Sequence, residues 1–505
     1  MQNGQLVAAV DLGSNSFRLE IGVFEEGHIR RVDYLKETVR QGNGLDAERM
    51  LSKDAMQRGW DCLARFAERL AGFEPEFVRA VATQTLREAK NRDVFLIQAT
   101  TILGFPIEVI SGKEEARLIY LGVAHSLPQS NEKRLVIDIG GRSTEMILGR
   151  AYKPNTLESY RVGSVKWSMK YFANGLMTSQ TFAKAEIAAK AVIDEALSLY
   201  PRNAWETAYG SSGTVGAVAD VLASAGWPQG RITREGLDWL KEKLIKAGSA
   251  EALKLEGVKD DRKPVIGGGL AILYALFDLL GIEEMQAAQG ALRQGVLQDL
   301  LDRLDRHDNT DLRSTMVTAL ASRFAVDPAQ SDRVSRTALW LFQSLQVSSA
   351  KKSSRLVRLE SKLMWAAQLL EIGTRISHSD FHKHGAYILD NADLTGFSMP
   401  ELHRLSQLIL GHRGKLKKLE LEFRDEDFVC QLLSLRLAAI LCHARREPDL
   451  QGFGFKRLPN GDEFVIQCKK SWAQLWPQSA HLLQEECDAW LKTNWQLKFQ
   501  ISSGV

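Results

Sequence analysis

The sequence has few cysteines and no paired cysteine motif. Its 505 residues include only Cys62, Cys430, Cys442, Cys468 and Cys487, and no two of them are spaced as CxxC. An odd number of widely spaced cysteines argues against a disulfide framework. We therefore expect free thiols in a reducing cytoplasm.

Strong net charge and long hydrophobic runs are also missing. The formal net charge is only +3, so a site for a polyanion must be a local concentration of basic residues. The N-terminus has no basic region followed by an apolar core, and we expect no signal peptide. Residues 265–282 form the longest apolar run, but Gly267-Gly268-Gly269 and Asp278 favour a glycine loop and a buried helix over a transmembrane segment.

Two stretches repeat the same order of an apolar run, an aspartate, glycine and small polar residues. They are residues 6–19 and 135–145, and each predicts a strand, a tight turn and a second strand. Glycine lets backbone N–H groups in such a turn approach an anion. Asp11 and Asp138 occupy matching places and suit Mg²⁺ as oxygen ligands. An ordinary polar hairpin is the alternative, but the repeat favours a duplicated domain with a phosphate-binding cleft between its halves.

The segment Ser111-Gly112-Lys113-Glu114-Glu115 follows a short predicted strand and predicts the start of a helix. Ser111 and Glu114 have the spacing of a capping box, so we interpret Glu114 as structural. Glu115 has no such role and follows the carboxyl end of a strand, where α/β folds place their chemistry. It can deprotonate a water that attacks phosphorus; the alternative is a solvated glutamate favoured by the helix dipole.

Further glycine-rich segments precede predicted helices. Residues 208–214 predict a turn at a helix N-terminus, which can bind an anion or simply cap the helix. Residues 264–270 predict a third glycine-rich loop. Between the motifs, residues 159–165 predict a strand and residues 179–200 predict one long helix.

The paired motifs resemble the two phosphate loops of the acetate and sugar kinase, Hsp70 and actin superfamily. Asp-Leu-Gly-Ser-Asn-Ser-Phe at residues 11–17 and Asp-Ile-Gly-Gly-x-Ser-Thr-Glu at residues 138–145 are similar to the motifs of the exopolyphosphatase/guanosine pentaphosphate phosphatase family. Gly-Ala-Leu-Arg-Gln-Gly at residues 290–295 looks like the helix that closes this family's catalytic module. The resemblance covers most of the chain.

This resemblance implies a role for each motif. The family's catalytic glutamate matches Glu115, and the arginine of its Thr-Leu-Arg segment matches Arg87. We expect Mg²⁺ as the cofactor, held by Asp138, Glu145 and Asp11, with stimulation by K⁺ left open. The residues expected to bind substrate phosphates are Ser14, Asn15, Arg87, Gly140, Gly141, Arg142, Ser143, Gly210, Ser211, Ser212, Gly213 and Thr214.

Arg142 departs from the family pattern. The family usually has a small residue at this place, most often a third glycine. An arginine there can narrow the phosphate cradle or add a positive contact to it, and the sequence leaves both open.

After residue 301 glycine becomes scarce and the pattern turns helical. Residues 363–384 resemble the HD-phosphohydrolase-like module of long exopolyphosphatases, but its His-Asp metal pair is replaced by Leu370-Glu371, so we expect no metal there. The excess of Lys and Arg between residues 351 and 420 is typical of a solvated face. The alternative is the wall of a basic polyphosphate channel that includes His378, His382, His412, Arg413 and Lys415.

These observations together predict an α/β fold with four parts. Two ribonuclease-H-like halves, similar to those of actin and acetate kinase, are expected at residues 1–122 and 123–305. An all-helical HD-like domain with a degenerate metal site is expected at 306–450, and a small α+β domain at 451–505.

The predicted function is that of an exopolyphosphatase, which releases terminal orthophosphate processively from long-chain polyphosphate. Removal of the terminal phosphate of guanosine pentaphosphate is the alternative within the same chemistry, and no residue separates the two. A kinase of the same superfold and a non-catalytic polyphosphate-binding protein are the other classes. We expect a cytoplasmic homodimer, with peripheral membrane association left open, and neither a transmembrane segment nor a sequence-specific nucleic-acid partner.

Overall fold

The structure is a computed structural model that describes residues 1–250, 252–253, 255–304, 312–346, 354–419, 422–459 and 461–502. These residues form two compact units. The N-terminal unit comprises the described residues up to 304 together with Asp393–Ser398, and the C-terminal unit comprises the remaining described residues. The boundary that the sequence predicts at 305/306 lies outside the described residues, and the finer division into four parts stays a prediction.

The first half of the N-terminal unit is a five-stranded sheet with four helices. Its elements are β1 (Leu6–Leu12), β2 (Phe17–Glu25), β3 (His28–Glu37), α1 (Lys53–Arg69), β4 (Val78–Ala82), α2 (Gln84–Glu88), α3 (Arg92–Leu103), β5 (Ile107–Val109) and α4 (Gly112–Ser126). The strand order is β3-β2-β1-β4-β5. The β1–β2 and β2–β3 pairs are antiparallel, whereas β1, β4 and β5 run parallel.

The second half repeats this arrangement and adds one edge strand. Its elements are β6 (Lys133–Ile139), β7 (Thr144–Arg150), β8 (Lys153–Tyr160), α5 (Ser164–Tyr171), α6 (Ser179–Ile193), α7 (Ala196–Leu199), β9 (Thr207–Ser211), α8 (Ser212–Ser224), β10 (Arg231–Thr233), α9 (Arg234–Ala247), α10 (Lys263–Leu280), β11 (Glu284–Ala287) and α11 (Leu292–Leu304). The order β8-β7-β6-β9-β11-β10 matches the first sheet from β8 to β11. The predicted pair of α/β halves is therefore confirmed.

Two predicted elements have different boundaries in the structure. The strand ends at Tyr160 and a helix begins at Ser164, so the prediction of a strand over 159–165 is wrong. The backbone N–H groups of Val165 and Lys166 donate to the carbonyl oxygen of Gly141, which fixes this helix start against the second hairpin turn. The helix predicted over 179–200 is divided into α6 and α7.

The glycine-rich segment at 264–270 is helical and not a loop, because it forms the first turns of α10. A Cβ at Gly268 would lie 2.5 Å from the backbone nitrogen of Ser168, so glycine lets α10 approach α5 closely. Among the described residues α10 is the one helix long and apolar enough to cross a membrane, yet 67% of its span is buried. Its composition is that of a helix inside the core.

Helices α4 and α11 lie in a core that both sheets share. One cluster of buried side chains includes Val7 from β1, Val136 from β6, Leu118 from α4 and Val296 from α11. The two helices cross closely, because a Cβ at Gly295 would overlap the carbonyl oxygen of Leu118. This crossing explains why the second glycine of the 290–295 motif, Gly295, is needed.

A buried ion network fixes the first turn of α4. Arg117 binds both carboxylate oxygens of Glu114 at 2.8 Å and also binds Asp299 of α11 at 2.5 Å. Arg79 of β4 binds Asp299 from the other side at 2.5 Å. Burial alone would raise the pKa of Asp299, but Arg117, Arg303 and Arg79 together hold it well below its usual range.

The capping prediction for this helix is correct for Ser111 and incomplete for Glu114. The Ser111 hydroxyl accepts a hydrogen bond from the Glu114 backbone N–H. The Glu114 side chain instead joins the ion network and accepts a hydrogen bond of 2.7 Å from the Gly396 N–H. Segment Asp393–Ser398 thus belongs to the N-terminal unit, where Ser398 forms a β-bridge with Ile110 just before α4.

The C-terminal unit is mainly helical and contains one small sheet. Its elements are α12 (Leu312–Arg323), α13 (Pro328–Ser344), α14 (Ser354–Gln368), α15 (Phe381–Asp390), α16 (Met399–Gly411), α17 (Glu426–Leu441), β12 (Phe453–Arg457), β13 (Glu463–Lys469), α18 (Lys470–Leu475), α19 (Pro477–Trp490) and β14 (Gln496–Ser502). The sheet order is β12-β13-β14. Its strands and the helices form one compact unit.

Replacing Gly295 by alanine should destabilise the N-terminal unit, because the new methyl group would overlap the Leu118 carbonyl oxygen. We expect a loss of about 1–3 kcal/mol, as for other overpacked cores. The matched control is Gly216→Ala in α8, where a Cβ meets no atom of the described residues within 4 Å and helix propensity favours alanine by about 1 kcal/mol. Thermal unfolding followed by circular dichroism should give a lower midpoint for the first variant only.

Replacing Asp299 by asparagine should lower the free energy of unfolding at pH 7 by about 3–5 kcal/mol, because buried arginines lose their carboxylate. The folded-state pKa of Asp299 is below its usual value of 3.8, so its contribution is complete at neutral pH and is lost as the pH falls through the folded-state value. Urea unfolding should therefore give a constant difference from the wild type above about pH 5, and a smaller one below about pH 4. Asp93→Asn, at an exposed ion pair, is the control; an equal effect of both variants would contradict the prediction.

Candidate active site

The two predicted hairpin turns face each other inside the N-terminal unit. A Cβ at Gly141 would lie 3.2 Å from the Cβ of Ser14, so the tips of the β1–β2 and β6–β7 hairpins nearly touch. Each turn is held by its own half: the Gly42 N–H donates to the Ser14 carbonyl oxygen, and the Ser164 N–H donates to that of Gly140. The cleft beside these tips is lined by Asp11, Gly13, Ser14, Asn15, Ser16, Arg18, Thr83, Glu115, Ile119, Asp138, Ile139, Gly140, Gly141, Ser143, Ser164, Ser212, Gly213, Thr214, Arg262, Ala291 and Leu292.

Strand register explains which side chains meet at the cleft. Asp11 pairs with Arg18 across the first hairpin, and Asp138 pairs with Glu145 at the equivalent place of the second. Paired residues on neighbouring strands project to the same face of a sheet. The aspartates of the two halves are therefore structurally equivalent, and their cross-strand partners differ in charge.

Four carboxylates are buried at this edge of the two sheets. Asp11, Asp138, Glu115 and Glu145 are each at most 8% exposed. Burial raises the pKa of Asp138 to about 6. Burial also raises the pKa of Glu145 well above its usual range, and the neighbouring charges of Glu115 and Asp138 raise it further.

Glu115 lies in the first turn of α4, and its carboxylate is hydrogen-bonded to one arginine. The Arg87 guanidinium donates to its carboxylate at 2.9 Å. Burial raises the pKa of Glu115 to about 7, although Arg87 opposes this shift; the charges of Asp11 and Asp138 add to it. A carboxylate with a raised pKa at the wall of a cleft can accept a proton near neutral pH.

Arginines that the sequence motifs did not single out for the site complete the cleft. Arg18 lies 3.6 Å from Asp11, and Arg293 binds Glu20 at 3.3 Å and lies 3.8 Å from Asp11. Arg262 covers the helix start at Gly213, where a Cβ would overlap its guanidinium. Burial, together with the charge of Arg18, lowers the pKa of Arg262. Two arginines that repel each other at a cleft wall favour an anionic ligand between them.

Several buried donors in the cleft lining or close to it have no hydrogen-bond partner among the residues that the structure describes. They are the Asn15 side-chain amide nitrogen, the Ser16 hydroxyl, the Arg18 Nε and one terminal nitrogen of Arg293. An unpaired buried polar group costs free energy unless a ligand or water satisfies it. These donors therefore indicate where an anion or its water shell binds.

The structure brings most of the predicted site residues to the cleft. Glu115, Asp11, Asp138, Ser14, Asn15, Gly140, Gly141, Ser143, Ser212, Gly213 and Thr214 all line it. Gly210 and Ser211 end strand β9 just behind the lining, where the Ser211 hydroxyl donates to the Gly290 carbonyl oxygen at 3.1 Å. Ser212 adopts φ 91°, a left-handed conformation that turns the chain sharply from β9 into α8.

Three predicted residues lie beside the cleft and not in its lining. Arg87 reaches Glu115 from a neighbouring pocket, which it lines with Glu88 and Ser159. The Glu145 carboxylate accepts a hydrogen bond from Ser159 at 2.7 Å. The Arg142 side chain, predicted to contact phosphate, bonds instead to the Glu88 carboxylate and the Gly42 carbonyl oxygen.

The predicted metal ligands do not form one cluster of three. In the described part of the chain, no group of three or more His, Cys, Asp or Glu side chains is close enough to hold a single ion. Mg²⁺ that carries a phosphate needs only one or two carboxylates, since phosphate oxygens and water complete its octahedron. Asp11 and Asp138, two buried carboxylates whose pKa values are raised by burial, fit that smaller requirement.

The predicted channel residues are divided between the surface and the interior of the C-terminal unit. His378 and Lys415 are exposed, whereas His382 and His412 are buried with ring centroids 6.2 Å apart. Arg413 stacks over the Phe381 ring at 4.9 Å. Burial lowers the pKa of His382 to about 4 and that of His412 to about 3, so neither imidazole adds positive charge at neutral pH.

The metal-site position of the predicted HD-like module holds an ion pair. Glu371 receives two hydrogen bonds of 2.8 and 2.9 Å from Arg445. Whether this region is an HD-like module stays a prediction.

Comparisons with known proteins agree with this geometry. The model of the Ppx/GppA phosphatase family matches residues 21–304, and that of Ppx/GppA phosphatase domain III matches residues 312–488. A protein of Pseudoalteromonas translucida named guanosine-5'-triphosphate,3'-diphosphate pyrophosphatase is 38% identical over 493 residues, with 97% of each chain covered. A protein of Photobacterium profundum with the same name is 36% identical over 500 residues, with 98% of each chain covered.

Solved structures of related proteins each cover about 60% of the chain. The crystal structure of an exopolyphosphatase-like protein has a TM-score of 0.54 and 25% identity, and covers 59% of this chain and 100% of that one. The Aquifex aeolicus member of the Ppx/GppA family has a TM-score of 0.51 and 25% identity, and covers 60% of this chain and 99% of that one. The chain therefore belongs to the Ppx/GppA phosphatase family and is a hydrolase of phosphoric anhydrides.

Proposed function

We propose that this enzyme removes the terminal 5′-phosphate of guanosine pentaphosphate and releases guanosine tetraphosphate and orthophosphate. The observation that carries the proposal is the likeness to relatives with the name guanosine-5'-triphosphate,3'-diphosphate pyrophosphatase, which extends over 97–98% of both chains. This ranks the nucleotide above long-chain polyphosphate, the reverse of the order that the sequence motifs gave.

In the proposed reaction Glu115 acts as the general base. It accepts a proton from a water molecule as the water oxygen attacks the terminal phosphorus, and the bond from that phosphorus to the bridging oxygen breaks. Arg87 orients the Glu115 carboxylate through its 2.9 Å hydrogen bond. A positioned base of this kind contributes roughly 10²–10⁴-fold in rate.

The hairpin turns would hold the substrate phosphates. The turns at Ser14-Asn15, Gly140-Gly141 and Ser212-Gly213 line the cleft. Phosphate is bound well by concave arrays of backbone N–H donors such as these turns can provide. The unpartnered Asn15 amide and Ser16 hydroxyl add side-chain donors. Asp11 and Asp138 would hold Mg²⁺, which when bound neutralises charge on the phosphate oxygens.

Arg18 and Arg262 are the residues we assign to the remaining anionic groups of the nucleotide. Both line the cleft, and the lowered pKa of Arg262 reflects burial beside Arg18. A substrate with a second phosphate group beyond its triphosphate would relieve the repulsion between these two arginines through charge-assisted hydrogen bonds.

Long-chain polyphosphate is the second candidate substrate. Its support is the 25% identity and TM-score of 0.54 to a protein described as exopolyphosphatase-like. Basic residues of the C-terminal unit, including Arg413 and Lys415, are the predicted contacts for a long chain. The cytoplasmic location, the homodimer and stimulation by K⁺ are kept as predictions.

Replacing Glu115 by glutamine should lower kcat by roughly 10²–10⁴-fold with little change in KM, because the amide keeps the shape and loses the basic oxygen. The control is Glu235→Gln, another glutamate in the first turn of a helix, which is exposed and does not line the cleft. Initial rates of orthophosphate release with Mg²⁺ measure both variants. A Glu115→Gln enzyme within a few fold of the wild type would show that another group is the base.

Replacing Arg262 by alanine should reduce the preference for guanosine pentaphosphate over GTP, which lacks the 3′-diphosphate. Loss of a hydrogen bond to a charged group corresponds to about 10–100-fold in kcat/KM, and we expect the loss for the pentaphosphate to exceed that for GTP. Arg231→Ala, at an exposed ion pair, is the control. Equal losses for both nucleotides would contradict the assignment, and a wild-type kcat/KM higher for polyphosphate than for either nucleotide would promote the second candidate.

A further inference from the structure

The Arg142 side chain crosses from one half of the N-terminal unit to the other. Arg142 lies at the tip of the β6–β7 hairpin of the second half. Its guanidinium donates to the Glu88 carboxylate of α2 at 3.1 and 3.3 Å and to the Gly42 carbonyl oxygen at 2.9 Å. Glu88 and Gly42 both belong to the first half. The arginine side chain and its glutamate partner are each only 12% exposed.

From Glu88 an unbroken line of hydrogen bonds leads to Glu115. The Gln84 side-chain amide donates to Glu88 at 2.7 Å. The same Gln84 accepts from the Arg87 guanidinium through its carbonyl oxygen, with one bond of 3.0 Å and a second, shorter one. Arg87 in turn donates to Glu115 at 2.9 Å and to the Ile110 carbonyl oxygen at 2.7 Å.

Each link in this line has its donors and acceptors matched. Gln84 is 5% exposed, and its amide group can satisfy Glu88 and Arg87 together only in one orientation. Glu88 remains ionised, since the Gln84 amide and Arg142 hold its pKa below the usual range although burial opposes this. Buried networks with every member satisfied fix side-chain geometry strongly.

We propose that Arg142 is a positioning residue, which holds Arg87 against Glu115 through Glu88 and Gln84 and does not bind substrate phosphate. The hairpin that carries the Gly140-Gly141 phosphate turn is thereby tied to the residue that orients the base. This inference rests on the proposed role of Glu115 and concerns the same site.

A double-mutant cycle tests this role, with Arg142→Ala, Glu88→Gln and the double variant in the full-length enzyme. Because a small misplacement of a catalytic group is costly, each single variant should lose roughly tenfold or more in kcat. KM should change by less than about threefold, since no phosphate contact is lost. The kcat of the double variant should be no lower than that of the less active single variant, because the effects of residues that act through one network are not additive. Arg142→Lys, which keeps the charge and one donor nitrogen in place of the three that Arg142 uses, should recover part of the kcat.

The control is Arg150→Ala, an exposed arginine at the far end of the same strand β7. All variants are assayed with guanosine pentaphosphate and with long-chain polyphosphate. A positioning residue that acts on the base should give the same fractional loss of kcat with either substrate. Failure of the nucleotide as a substrate would thus overturn the substrate proposal alone, because the cycle is still measured with the polymer.

The outcomes separate the two proposals. Suppose first that Glu115→Gln is inactive, as the general base requires. The role of Arg142 is then overturned, and the general base left intact, by any one of three results: an unchanged kcat in Arg142→Ala, a change confined to its KM, or additive losses in the cycle. A fully active Glu115→Gln enzyme would overturn the general base and the role of Arg142 with it. Should Arg142→Ala fail to fold, the cycle with Arg142→Lys and Glu88→Gln gives the same comparison.

Discussion

Burial of four carboxylates at one edge of two facing sheets is the constraint on which the N-terminal unit depends. Asp11, Asp138, Glu115 and Glu145 repel one another in a region of low dielectric, and this costs stability unless positive charge is nearby. The protein supplies Arg18, Arg87 and Arg293, and a bound cation and substrate would complete the balance. Because the empty site costs stability, binding of a cation and substrate there is favoured.

The supporting structure limits how these groups can move. Close crossing of α4 and α11 at Gly295, together with the Asp299 ion network, fixes the first turn of α4 and hence Glu115. Arg142 and Glu88 join the two halves beside the cleft. The carboxylates therefore keep their positions through packing and ion pairs that lie mostly outside the cleft itself.

The sequence was sufficient for the features that short motifs encode. Local residue order predicts the duplicated hairpins, the place of Asp11 and Asp138 and the helix start at Ser111. Arg18 could also have been found from the hairpin register, because it pairs with Asp11 across the turn. Arg262 has no motif and reaches the cleft only through the packing of α10. Residues 264–270 were misread as a loop because the close contact that makes glycine necessary there is tertiary. The contact between Arg142 and Glu88 joins residues 54 positions apart and has no local signal.

The central claim is that Glu115 faces the terminal phosphorus of a substrate held in the cleft beside the two hairpin turns. A crystal structure of the Glu115→Gln enzyme with guanosine pentaphosphate and Mg²⁺ tests it most directly. The account predicts the terminal phosphate in the cleft beside the turns at Ser14 and Gly141, with one water between residue 115 and the phosphorus and the guanosine on the side of Arg18 and Arg262. A terminal phosphate beyond the reach of one water from residue 115, or a nucleotide bound outside the cleft, would contradict it.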